Sequence, residues 1–119
     1  MTFTEILLDA ANQIEGALVV GLAGIDGLGV ETVVNDGSEF DTEAVEVEIA
    51  GLVNNISKTA TALSSGAVKE FYVETENHNI LVHVLDKDYF LVVILGPQAN
   101  LGRARFEARR VSQKLSESL

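Results

Sequence analysis

The stretch that decides the fold is Tyr89–Leu115, which reads YFLVVILGPQANLGRARFEARRVSQKL. Its first seven residues are apolar without polar alternation, and a strand of this kind needs cover on both of its faces. A Gly-Pro pair ends the strand, and Asn100 then precedes a basic amphipathic segment with helical spacing. The sequence therefore predicts a central strand, Tyr89–Leu95, and a helix from about Leu101 to Ser116 that covers one face of it.

The N-terminal segment predicts a first helix. Its apolar residues recur at helical spacing from about Phe3 to Ile14. Thr2 and Glu5 fit a capping box, and Met1 and Ile6 fit a hydrophobic staple. We therefore expect helix one to begin almost at the start of the chain.

Two strands are predicted after helix one, at Ala17–Ala23 and at about Leu28–Val34. The Asp26-Gly27 step between them is a strong hairpin signal. The first strand is apolar throughout and should be central, whereas the second carries polar residues and should lie nearer an edge. A phosphate-binding loop would need its glycines between a strand and a helix, so we interpret the glycines here as hairpin residues: Gly21, Gly24, Gly27 and Gly29.

Helix two is predicted from an N-cap at Asp41 to about Leu63, with Phe40 and Val45 as a staple. One apolar stripe should face the sheet: Val45, Ile49, Leu52, Val53, Ile56, Ala60 and Leu63. The opposite stripe has small or mildly apolar residues, which allow a second helix to approach closely: Ala44, Val47, Gly51, Asn55, Lys58 and Ala62. Three glutamates near the helix start suit the helix dipole and are expected to face solvent: Glu43, Glu46 and Glu48.

Three more strands complete the pattern, at about Val68–Thr75, Ile80–Leu85 and Tyr89–Leu95, joined by short polar turns. Short turns require antiparallel pairing, so the order α-β-β-α-β-β-β-α predicts an α+β domain. Because several strands are apolar on both faces, helices should lie on both sides of the sheet. The length favours a single domain over residues 1–119.

The charge is unevenly distributed along the chain. Residues 1–99 hold sixteen acids against three lysines, and residues 100–119 hold five bases against two acids, for a net −10. An acidic body repels phosphate backbones, which argues against nucleic acid as a partner. The basic last helix is either a solvated face, with Glu107 paired to Arg103 or Arg110, or a partner surface.

The sequence contains no apolar run near 18 residues and no secretory signal pattern. We therefore expect a soluble, cytoplasmic protein without a membrane span. No catalytic constellation is evident, since cysteine is absent and neither His78 nor His83 has neighbours at metal-ligand spacing. Asp86 and Asp88 flank a turn and are interpreted as structural. The sequence thus predicts no catalytic residue, no metal and no cofactor.

The element order, with GALVVGLAGIDGLGVET at residues 16–32 and DYFLVVILGPQANLGRARFEARRVSQKL at residues 88–115, resembles the roadblock family of dynein-light-chain-like domains. The resemblance covers nearly the whole chain and is strongest to small bacterial and archaeal members, such as the MglB-like regulators of a Ras-like gliding GTPase. The motifs describe a fold rather than a reaction. The chain is shorter than the longer polarity regulators, so the resemblance does not extend to their terminal extensions.

The resemblance implies a five-stranded antiparallel sheet with helix two on one face and helices one and three on the other. It also implies a homodimer or heterodimer formed through strand three and helix two. The composition of strand three suits an exposed edge, which invites pairing, and the small-residue stripe of helix two suits a contact across a two-fold axis. We therefore expect the following residues at or near the dimer surface: Val47, Gly51, Asn54, Asn55, Phe71, Tyr72 and Val73.

Three functions remain open at this point. The leading hypothesis, supplied mainly by the resemblance, is a regulatory partner of a small Ras-like GTPase that binds through the paired second helices, at Ala44, Val47, Gly51 and Lys58. Helix two has no arginine that could serve as an arginine finger. The second hypothesis is a scaffold that leaves nucleotide turnover unchanged, and the third is a small-ligand sensor. Enzyme activity of its own is the least favoured.

Overall fold

The computed structural model describes residues 2–35 and 37–119. Within this part of the chain, three helices and five strands follow the predicted order. Their bounds are α1 Phe3–Gln13, β1 Ala17–Gly24, β2 Gly29–Val34, α2 Thr42–Ala62, β3 Glu70–Glu74, β4 Asn79–Val84, β5 Tyr89–Leu95 and α3 Leu101–Ser118. The predicted α+β class is confirmed.

Each helix begins at a side-chain cap. Thr2, Asp41 and Asn100 accept hydrogen bonds from the backbone N–H groups three residues further on, at 3.2, 3.2 and 3.0 Å. These bonds satisfy N–H groups that have no partner within the first helical turn. The predicted Met1–Ile6 staple lies outside the described residues.

The five strands form one antiparallel sheet in the order β2-β1-β5-β4-β3. β5 lies in the middle and pairs with both β1 and β4, while β2 and β3 form the two edges. The apolar strands β1 and β5 are therefore neighbours at the centre, as their patterns predict. The hairpin between β1 and β2 turns through Gly27, which has a φ of +89°.

The helices cover the two faces of the sheet unequally. α1 and α3 pack together on one face, against the side of β5 that carries Leu91, Val93 and Leu95. α2 lies alone on the other face, against the side that carries Phe90, Val92 and Ile94. The predicted placement of the helices is confirmed, and the backbone of α2 lies nearer to β1 and β2 than to β3 and β4.

Two details of α2 differ from the sequence prediction. Leu63, which the sequence assigned to the buried stripe, is the C-cap of the helix and is 72% exposed. The buried residues of α2 lie in the middle of the helix, at Ile49, Ala50 and Val53. Glu46, expected to face solvent, instead accepts a 2.7 Å hydrogen bond from the Thr32 hydroxyl of β2. Helical spacing alone could not show that a strand hydroxyl lies within reach of this glutamate.

Gly16, which follows α1, needs both its backbone freedom and its missing side chain. Its φ is +87°, and an added Cβ would lie 2.7 Å from the Cβ of Ala99. Its carbonyl accepts a hydrogen bond from the N–H of Gly96. Gly66 offers a matched comparison, since its φ is +84° and an added Cβ would meet nothing within 4 Å.

We predict that Gly16→Ala destabilises the fold more than Gly66→Ala. Both changes place a side chain in a left-handed conformation, which costs about 1–2 kcal/mol, but only the first also crowds Ala99, which adds about 1–3 kcal/mol. Urea unfolding of both variants measures the difference in the free energy of unfolding. Equal losses of unfolding free energy in the two variants would contradict the close approach of Gly16 to Ala99.

Candidate functional site

The outer edge of the sheet is formed by β3, which pairs with β4 on its inner side. Phe71 packs with the core under α2, whereas Tyr72 packs with the core under α3. By strand alternation, Val73 shares the face of Phe71. All three side chains are half-buried. The backbone groups on the outer side of β3 can therefore pair with a second strand.

The outward stripe of α2 is exposed along its length: Ala44, Val47, Gly51, Asn55, Lys58 and Ala62. Val47 is 51% exposed, a large value for an apolar side chain. An added Cβ at Gly51 would meet nothing within 4 Å, so the helix is accessible at this point. The structure thus leaves the whole predicted contact stripe on the surface.

Asn54 differs from the other predicted contact residues. The residue is exposed, but its side-chain amide donates hydrogen bonds of 3.0 Å to the carbonyl oxygens of Ile25 and Ala50. The bond to Ile25 ties α2 to the β1–β2 turn. Its place in a dimer contact remains a prediction, and its amide donors already have partners within the chain.

An open groove of about 500 Å³ lies between the C-terminal half of α2 and the start of β3. Its walls include Ser57 and Thr61 from α2 and Val68 and Lys69 just before β3. It exists because α2 packs over β1 and β2 and leaves the β3–β4 side of this face only partly covered. The C-terminal half of α2 and the segment that leads into β3 therefore border one groove.

A charged cluster that the sequence analysis missed lies on the other face of the sheet. Glu70 of β3 is paired in register with His83 of β4, and the closest atoms of the two side chains, Oε2 and Nε2, are 2.9 Å apart. Arg105 of α3 donates a hydrogen bond to Glu70, and Arg109 lies 3.9 Å from it. The cluster fastens α3 to the edge strand. Only the strand register could have revealed it, because its members are far apart in sequence.

The surroundings of Glu70 and His83 in this cluster shift the pKa values of both side chains. The hydrogen bond from Arg105 holds the pKa of the Glu70 carboxyl below its ordinary value, although burial acts in the opposite direction. Burial holds the pKa of His83 below its ordinary value, and the nearby Glu70 carboxylate only partly offsets this effect. Beside the cluster, desolvation and the Glu74 carboxylate raise the pKa of the Tyr72 hydroxyl. His83, which is 8% exposed, is therefore neutral at physiological pH.

Among residues 2–35 and 37–119, no three His, Cys, Asp or Glu side chains are placed to hold a metal ion. Asp86, which the sequence predicts to be a structural turn residue, accepts hydrogen bonds from the N–H groups of Asp88 and Tyr89. In the same described ranges, no helix combines the length and apolar character needed to cross a bilayer.

We predict that the free energy of unfolding falls as the pH is lowered from about 7.5 to 5.5. Because the folded state disfavours protonated His83, the unfolded state binds more protons once the pH falls below about 6.5. This range lies above the one in which Glu70 titrates. Urea unfolding at several pH values measures the slope.

The control for this pH dependence compares the two histidines of the chain. His83→Gln should remove most of the slope, whereas His78→Gln, at the turn before β4, should keep it. The slopes are compared rather than the absolute stabilities, since His83→Gln also changes packing. A slope that survives in His83→Gln would show that burial of this imidazole is not its source.

Comparison with known proteins agrees with this geometry. The family model described as Roadblock/LC7 domain matches residues 3–95. The crystal structure of MglC from Myxococcus xanthus is 34% identical, with complete coverage of both chains and a TM-score of 0.72. MglB of Myxococcus xanthus is 22% identical, again with complete coverage of both chains, and has a TM-score of 0.87.

A third structure, the gliding protein MglB from Thermus thermophilus, is 18% identical with a TM-score of 0.87. That match covers 97% of this chain and 86% of the other. A search of curated proteins finds no match. Since the family model spans most of the chain, the protein belongs to the Roadblock/LC7 domain family.

Proposed function

We propose that this protein is a dimeric regulatory partner of a small Ras-like GTPase, acting in the cytoplasm and without an active site of its own. The single observation that carries the proposal is the exposed outward stripe of α2, together with the open β3 edge. Membership of the Roadblock/LC7 family and the likeness to MglB and MglC structures support it.

In the proposed dimer, two β3 edges pair and two α2 helices pack across a two-fold axis. Phe71, Tyr72 and Val73 would lie at the strand contact, where each is half-buried in the single chain. Val47, Gly51, Asn54 and Asn55 would lie at or near the helix contact. Such an arrangement would bury the exposed Val47 side chain and continue the sheet into a second copy.

The paired α2 helices would then present Ala44, Val47, Gly51 and Lys58 to the GTPase. Lys58 is the only base on α2, and all four arginines lie on α3, across the sheet from it. An arginine finger must reach the phosphate that is cleaved. We infer that any stimulation of hydrolysis would act by repositioning residues of the GTPase itself.

The second candidate is a scaffold that binds a partner without altering nucleotide turnover. The same lack of arginine on α2 favours it, because a surface without catalytic groups is sufficient for assembly. The two candidates share the dimer and the α2 surface, and they differ only in the effect on GTP hydrolysis and exchange.

Gly51 provides a test of the helix contact. We predict that Gly51→Arg gives a monomer, because a long charged side chain would block close helix approach, whereas Gly51→Ala stays dimeric. In both variants the helix itself should gain about 1 kcal/mol or slightly less, since glycine is a poor helix former. Sedimentation velocity measures the oligomeric state, and urea unfolding checks the fold. If Gly51→Arg remained dimeric, the contact between the two copies would not lie at this point of α2.

The arginines of α3 provide the test of mechanism. Each of Arg103, Arg105, Arg109 and Arg110 is changed to Ala, and GTP turnover by a Ras-like GTPase of the same organism is measured with each variant. We expect stimulation to change less than about twofold in every case, because these side chains lie across the sheet from α2. A loss of about a hundredfold or more for one of them would identify an arginine finger. Binding with unchanged turnover for the unaltered protein would favour the scaffold.

A further inference from the structure

The outer face of α3 carries an unusual combination of side chains for so acidic a protein. Its arginines are about half exposed or more: Arg103, Arg105, Arg109 and Arg110. Phe106 lies among them, is 59% exposed, and has the Arg110 guanidinium 5.9 Å from its ring centre. We call these five residues the arginine face.

Two carboxylates organise the four guanidinium groups. Glu107, which is 7% exposed, lies 3.9 Å from Arg103 and 3.8 Å from Arg110. Glu70 accepts a hydrogen bond from Arg105 and lies 3.9 Å from Arg109. The longer three contacts exceed hydrogen-bond length. They hold the side chains by charge and leave N–H donors available. Because two carboxylates face four guanidinium groups, the arginine face keeps an excess of two positive charges.

The position of this excess charge limits which kinds of anionic partner can bind. Residues 1–99 carry a net −13, so a long polyanion lying across the molecule would meet repulsion beyond α3. A nucleic acid or a flat anionic bilayer would suffer this repulsion over a wide area. A short acidic protein segment that follows α3 stays within about 8–10 Å of the arginines, the range over which charge is felt at physiological salt.

We infer that the arginine face binds an acidic segment of another protein, with an apolar side chain placed against Phe106. Carboxylates suit the planar guanidinium group, which can donate two parallel hydrogen bonds. An apolar contact would remove the exposed ring from water. This surface lies on the opposite side of the sheet from α2, so the inference is independent of the proposed GTPase contact.

The probe is a fluorescein-labelled peptide of glutamate and alanine with one central leucine, about 16 residues long so that it can follow most of α3. Binding to the intact chain is measured by fluorescence anisotropy at about 50 mM salt. The control probe has glutamine in place of every glutamate. We expect the acidic peptide to bind at least about tenfold more tightly than its glutamine counterpart.

A charge-matched pair of variants tests the location. Arg103, Arg109 and Arg110 are changed together to Gln in one protein, and Lys58, Lys69 and Lys87 in the other, so that both lose three positive charges. The arginine variant should lose affinity about tenfold or more, and the lysine variant less than about twofold. Phe106→Ala, which leaves the charge unchanged, should also weaken binding.

Four results would overturn the inference. The first is no binding of the acidic peptide, and the second is an equal loss of affinity in the arginine and lysine variants. The third is tighter binding of single-stranded DNA or phosphatidylserine vesicles than of the peptide. The fourth is a change in oligomeric state of the arginine variant by sedimentation velocity, which would identify the face as a contact between copies. Circular dichroism melting confirms that each variant is folded.

Discussion

The rest of the structure depends on the burial of β5 on both of its faces. Phe90 and Leu91 are completely inaccessible to solvent and point to opposite sides of the sheet. A central strand without a polar face requires helices above and below it. The three-layer arrangement follows, because fully burying each large apolar side chain contributes about 1.5–3 kcal/mol.

The two covering layers are unequal, and the proposed association surface arises from this inequality. α1 and α3 together cover one face, whereas α2 alone covers the other and lies nearer to β1 and β2 than to β3 and β4. Phe71, Ile80 and Val84 on the β3–β4 side of that face remain only half-buried. A second copy of the chain could complete the missing layer, so the proposed dimer would finish a core that one chain leaves open.

The distribution of charge separates two possible contacts. The outward stripe of α2 is mostly small and uncharged, while α3 carries five of the eight lysine and arginine residues. Glu70 links α3 to the edge strand β3, because it lies on that strand and contacts Arg105 and Arg109 of α3. The two proposed contacts would therefore lie on opposite faces of the sheet.

The sequence by itself determined the elements, their order and their caps. Apolar periodicity, the Asp26-Gly27 turn and cap residues such as Asp41 act over a few neighbouring positions, so they can be read locally. The resemblance to a family supplied the placement of the helices. Only the tertiary structure decided which distant polar groups meet: Glu46 with Thr32, and Glu70 with His83 and Arg105. Those contacts follow from strand register and helix position, which no local pattern encodes.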